Sequence, residues 1–88
     1  MEILKSASAG TLESSDAYVE IEPAQNDVVI SIESVVQKQF GEKIKSAVMD
    51  VLTENEVKAA SVRVIDRGAL ECVIRARVET AIIRAKGE

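Results

Sequence analysis

From Ala17 to Glu22 hydrophobic and polar positions alternate, Ala17, Val19 and Ile21 against Tyr18, Glu20 and Glu22. A period of two predicts a half-buried strand. Ala7 and Ala9 lead toward it from the N-terminal side, and Gly10-Thr11-Leu12-Glu13-Ser14-Ser15-Asp16, rich in turn formers, lies between. The expectation is a hairpin whose first strand, Ile3 to Leu12, is diluted by Ser and Ala, with Gly10 marking a bulge or a close approach. Pro23-Ala24-Gln25-Asn26-Asp27 supplies the next turn. A third strand follows, with Val28, Ile30 and Ile32 on one face and Val29, Ser31 and Glu33 on the other. These three strands are expected to form an antiparallel meander.

After Glu33 the period changes. Val36, Phe40, Ile44, Ala47, Val48, Val51 and Leu52 recur at spacings of three and four, one stripe of an amphipathic helix. Ser34 with Gln37 fits a capping box at its start, Gly41 could set its first turn apart, and Asn55 is a plausible stop. Val57 to Ile65 alternates again as a fourth strand, which Asp66-Arg67-Gly68 breaks. Leu70, Ile74, Val78, Ala81, Ile82 and Ala85 then return to helical spacing through to Lys86-Gly87, with Glu71, Arg75 and Glu79 able to pair along the outer side. Both apolar stripes need cover. The order β-β-β-α-β-α therefore predicts an α+β fold: a four-stranded, mainly antiparallel sheet with two helices packed on one face.

Composition narrows what such a fold can do. Eighty-eight residues make a single domain, 1–88, and 47% of them are hydrophobic, yet Phe and Tyr occur once each and Trp not at all. The core must be built from Val, Ile, Leu and Ala, and there is no aromatic platform for stacking bases. A net charge of −4 also argues against a nucleic-acid partner. The ends are oppositely charged: residues 1–33 hold seven acids against Lys5 alone, and residues 58–88 hold seven bases against four acids. Such a layout suits docking to partners of complementary potential, as it suits two solvated faces. One cysteine, no histidine, no membrane-length apolar run and no signal-peptide pattern point to a cytoplasmic chain without an internal disulfide, a His/Cys zinc site or His-based catalysis. This argues against an independent enzyme.

The chemistry that remains is concentrated in the first turn, where Ser14 and Ser15 present adjacent hydroxyls to solvent or to another protein's active site. On local sequence alone, Ser14-Ser15-Asp16 is also ordinary turn composition. Three segments, taken together, carry a resemblance: Gly10-Thr11-Leu12-Glu13-Ser14-Ser15-Asp16; Val36-Gln37-Lys38-Gln39-Phe40-Gly41; and Asp66-Arg67-Gly68-Ala69-Leu70-Glu71-Cys72-Val73-Ile74-Arg75-Ala76-Arg77-Val78-Glu79. In order and spacing the chain resembles the citrate lyase acyl carrier protein (gamma subunit) family. The resemblance implies that Ser14, in a Glu-Ser-x-Asp turn, carries a phosphoribosyl-dephospho-coenzyme A arm through a phosphodiester. Glu13 and Asp16 are then neighbours that hold the turn or are read by the loading enzyme. It also implies that the arm takes acetyl and citryl thioesters between the alpha (transferase) and beta (lyase) subunits as citrate is cleaved to acetate and oxaloacetate. The fold expected here is unlike the four-helix bundle of the ordinary acyl carrier proteins.

Two other residues stand out. Cys72, beside Ala76 and Ile83 on the helix flank, is expected to fill a secondary contact. Arg77 falls within the stripe of Leu70, Ile74 and Ala81, where a charge needs a partner; an ion pair with Asp66 or another acid near the helix start is favoured over contact with the arm's phosphates. Two rival readings stay open. One is the acyl carrier subunit of malonate decarboxylase, against which the Glu-Ser-x-Asp turn and Gln39-Phe40-Gly41 weigh; the other is a small interaction module without a prosthetic group.

Overall fold

The computed structural model describes residues 2–35 and 37–86, with residues 37–39 described by backbone alone. Its elements follow the expected order: β1 (Ala7–Gly10), β2 (Ala17–Glu22), β3 (Val28–Ser34), α1 (Gln37–Glu54), β4 (Ala60–Asp66) and α2 (Glu71–Ala85). Both helices pack on one face of a four-stranded sheet. The α+β architecture is as the periodicities imply.

The strand order is not. It runs β1-β2-β4-β3, so β4 lies between β2 and β3 and the three N-terminal strands form no meander. β2 pairs antiparallel with both β1 and β4, whereas β3 pairs parallel with β4. The reason is burial. Ala60, Val62, Val64 and Asp66 on alternate positions of β4 are all buried, a pattern that suits a central strand. β3 buries the equivalent side chains only in part. A parallel neighbour requires a crossover of a dozen residues or more, and α1, 18 residues long, provides it.

The register Ala9↔Val19↔Val64↔Ile32 puts these residues in one row facing the helices. Val48, Leu52, Val78 and Ile82 come down on the sheet face as part of one continuous core. On the opposite face Ser8, Glu20, Arg63 and Ser31 form a polar row, with Arg63 and Glu20 paired at 2.8 Å. Among the described residues no helix is long and apolar enough to cross a membrane.

Element ends show where long-range contacts overrule local pattern. β1 is shorter than Ile3 to Leu12 because the amides of Leu4 and Lys5 donate to the Ala85 carbonyl at the end of α2, at 3.0 and 3.2 Å, and Ile3 is buried beneath them. Ser34 is the last residue of β3 and not a helix cap; its hydroxyl donates to Asp66 at 2.7 Å. Val36, Gly87 and the Gln37 side chain, invoked above, lie outside the described residues. α1 continues through Gly41 without a break.

At the other end of α1, the Asn55 side-chain amide donates to the Val51 carbonyl at 2.9 Å. Glu56 takes a left-handed φ of 58°, and the Val57 amide returns to the Leu52 carbonyl at 2.9 Å. This is the closing pattern of a Schellman motif, with Leu52 and Val57 both buried. Val57 therefore belongs to the helix stop and not to β4.

Leu52→Ala, which empties space in the core and removes one half of that apolar clasp, is expected to lower the unfolding free energy by about 2–5 kcal/mol. Urea denaturation checks it, and a loss of less than about 1 kcal/mol would contradict the packing described.

Candidate functional site

The first turn is built from both sides. β1 ends at Gly10 with φ 94°, where a Cβ would overlap the Ala17 carbonyl oxygen and would lie 3.2 Å from Cδ of Arg77. Glycine is thus required for the chain to fold back beneath the Arg77 side chain. Thr11 Oγ1 accepts from the Glu13 amide at 3.2 Å and donates to Asp16 Oδ2 at 2.7 Å. The Asp16 amide donates to the Glu13 carbonyl at 3.1 Å, closing a four-residue turn with Ser14 and Ser15 at its centre. Ser15 has φ 67° and Ser14 is not left-handed, the pattern of a type II turn.

A second segment holds this turn in place. The Ser15 amide donates to the Arg67 carbonyl at 2.8 Å, and the Arg67 amide donates to the Asp16 carbonyl at 2.9 Å, extending the β2–β4 ladder past Asp66. Asp66 shapes the Arg67 segment. Buried at 2% exposure, its carboxylate accepts from the Ser34 hydroxyl and from the amides of Gly68 (3.1 Å) and Ala69 (2.8 Å). Each carboxylate oxygen therefore has a donor, as burial of a charge demands.

Asp16 is the knot of the site. Oδ1 accepts from Arg77 Nε at 3.0 Å and from the Ala17 amide at 2.7 Å, while Oδ2 accepts from Arg77 Nη2 at 2.9 Å and from Thr11. This two-pronged geometry is the strong form of an arginine–carboxylate pair. It answers the question raised by Arg77: the partner is Asp16, not Asp66 or another acid at the start of α2. The Arg77 hydrogen bonds, then those of Thr11 and the Ala17 amide, hold the Asp16 carboxyl at about 2, below the 3.8 of an ordinary aspartate.

Ser14 and Glu13 are exposed at the tip, and neither side chain makes a hydrogen bond or ion pair among the described residues. Among the described residues no base touches the Ser14 hydroxyl. Asp16 is where the sequence suggested, but its visible work is to fix the turn. Cys72 is exposed and does not fill a contact. Sequence reasoning missed Arg67 and the structural role of Asp66, since Asp66-Arg67-Gly68 reads locally as a strand breaker. The one available signal was an Asp two residues before a Gly, the composition of a side-chain-closed turn.

A depressed carboxyl makes the turn acid-sensitive in one direction. The Asp16 contribution is complete above pH 3.8 and is lost as pH falls through about 2. Wild-type stability is therefore expected to drop across that window more steeply than that of Asp16→Asn, which is the less stable protein at neutral pH. Denaturation midpoints measured from pH 5 to 2 check this, and parallel curves would refute it.

The family described as the malonate decarboxylase delta subunit (MdcD) matches residues 4–85. The citrate lyase acyl carrier protein of Pectobacterium atrosepticum is 49% identical over 85 residues, 97% of this chain and 88% of that protein. The Haemophilus influenzae protein of the same name is 51% identical, covering 100% of this chain and 92% of its own length. Among solved structures, a Pseudomonas malonate decarboxylase hetero-tetramer in complex with malonate contains a chain of the same fold, with a TM-score of 0.80 at 20% identity over 97% of this chain and 88% of that one. The chain therefore belongs to the citrate lyase acyl carrier protein family, whose members are carrier subunits with a covalently bound prosthetic group, working inside multi-subunit enzymes.

Proposed function

We propose that this chain is the acyl carrier subunit of a citrate lyase and that Ser14 bears a phosphoribosyl-dephospho-coenzyme A arm through a phosphodiester. The observation that carries this reading is the contrast within the turn. Every polar group of Asp16 is engaged, whereas the Ser14 hydroxyl beside it is exposed and uncommitted. A hydroxyl to be modified by a second enzyme must be reachable, and it must also be held still to meet the donor in one orientation. The turn meets both needs through Arg67 and Arg77.

The surroundings suit a phosphodiester. Arg67 is exposed, its backbone is bonded to Ser15 and Asp16, and its guanidinium has no ion-pair partner among the described residues. It is a cation on the segment that anchors the turn. Gly10, Thr11 and Asp16 keep the turn in shape, and Glu13 is left as an exposed carboxylate for the loading enzyme to read.

When bound, the arm supplies a thiol on a long tether, able to hold acyl groups as thioesters. The fold contributes a rigid base for that tether, and the transferase and lyase subunits of the complex contribute the active sites. Tethering raises the local concentration of the acyl group to the millimolar range for a short flexible link, which is the gain a carrier provides.

The malonate decarboxylase carrier is the second reading, favoured by the family match over residues 4–85. Against it stand relatives at about 50% identity that bear the citrate lyase name. Reconstitution with the catalytic subunits of each enzyme separates the two.

Backbone geometry supports Ser15 as the expendable serine. A left-handed φ at position 15 is one that glycine accepts without strain, so Ser15→Gly is expected to remain folded within about 1 kcal/mol of wild type. Co-expressed with the loading enzymes, Ser15→Gly should gain the mass of the arm and Ser14→Ala should not. Loading of Ser14→Ala would move the attachment site elsewhere.

A further inference from the structure

The structure holds a second feature at the end of the sheet that carries Ser14. A groove of about 340 Å³ opens between the first turns of α1 and the approach to α2, lined by Phe40, Ile44 and Ala47 on one side and by Ala69, Leu70 and Ile74 on the other. Its volume falls at the small end of the range for small-molecule sites. The loop that forms one wall, Gly68 to Leu70, directly follows Arg67, whose backbone is bonded to Ser15 and Asp16. The turn and the groove are thus two sides of one short segment.

Leu70 is the informative residue. It is 72% exposed, so it does not serve the core. It also occupies the N-cap position of α2, with φ −67° and ψ 154° and no side-chain cap, where Ser, Thr, Asp or Asn would satisfy a free helix amide and Leu cannot. Phe40, the chain's single Phe, is 43% exposed across the groove. Two large apolar side chains face solvent here without helping either the core or the helix end.

The segment between the turn and the groove is exposed. Arg67 anchors the turn through its backbone; next comes Gly68, where even an added Cβ would meet nothing within 4 Å; then comes the apolar groove with Lys43 at its edge, its Nζ 5.9 Å from the centre of the Phe40 ring. Of the two acids in the lining, Asp66 accepts from the Ser34 hydroxyl and the Gly68 and Ala69 amides, and Glu71 is held by Arg75 at 3.0 Å. A ligand leading from the turn along this segment would pass the open Gly68 and reach an apolar surface with Lys43 at its edge. The uncharged thioester end of a long arm suits such a surface.

We infer that this groove is the resting site for the thioester end of the arm on its own carrier, an inference that rests on the attachment to Ser14 proposed above. The site need not be strong. For a tethered ligand at millimolar local concentration, a site of millimolar affinity is about half filled. That suits a carrier, which must shield the thioester between visits and release it to each active site.

The test uses methyl-labelled full-length chain, unloaded and loaded, with loading verified by intact mass. Leu70→Asp is the companion variant. Asp is a preferred N-cap residue and the position is exposed, so the variant should fold at least as well as wild type. Loading is expected to shift the methyl resonances of Ile44, Ala69, Leu70 and Ile74 in the wild-type chain. In loaded Leu70→Asp the shifts at Ile44, Ala69 and Ile74 should be lost, and iodoacetamide should alkylate the arm thiol severalfold faster than in wild type. Mass gain with unmoved groove methyls and equal alkylation rates would overturn the resting site while leaving attachment intact. Groove methyls that respond only when a catalytic subunit is added would overturn it in favour of a docking face. Absence of any mass gain would overturn the attachment and the resting site together.

Discussion

Two parallel hydrogen bonds between the Arg77 guanidinium and the Asp16 carboxylate join the last helix to the first turn across 61 positions of sequence. Much of the candidate site depends on that pair. Without it the Asp16 carboxylate would keep only Thr11 and the Ala17 amide, and the turn would be held by its own internal bonds and the Arg67 backbone, with no tie to α2. Gly10 belongs to the same packing: a Cβ there would overlap the Ala17 carbonyl oxygen and would lie 3.2 Å from Cδ of Arg77. An exposed serine on a small protein is ordinary. Here the exposed serine has a next-but-one neighbour whose carboxylate is held by Thr11, the Ala17 amide and Arg77.

The order of elements was legible because the chain changes period after Glu33, again between α1 and β4, and again at Asp66. Pairing was not. A five-residue connection from Pro23 to Asp27 is compatible with β2 and β3 lying side by side, and nothing local says that β4, arriving after a helix, will take the place between them. The deciding quantity is burial on both flanks of β4, which depends on partners more than thirty residues away.

The site was legible in part for the same reason. Arg77 stood out as a charge inside an apolar stripe that would need an acid if buried; its side chain is 39% exposed and pairs with an acid all the same. Which acid could not be read from spacing, and the answer lay in the turn that had already drawn attention for its serines. Asp66 and Arg67 were hidden because their roles are made of backbone bonds to distant segments. Cys72 shows the reverse error: a small residue on a helix flank looks packed in sequence and is exposed in space. Leu70 was read as the first residue of the helical stripe, whereas it stands outside the core at the cap.

In the reading proposed above, one end of the sheet combines a turn that holds the attachment point, a loop that anchors that turn, and a groove beside the loop. The most direct measurement is tandem mass spectrometry of the Ser14-containing peptide from protein purified from its native host. Fragment ions that place the mass of a phosphoribosyl-dephospho-coenzyme A arm on Ser14 are the predicted result. The arm on Ser15, on another residue, or absent from protein that supports citrate cleavage in its complex would contradict it.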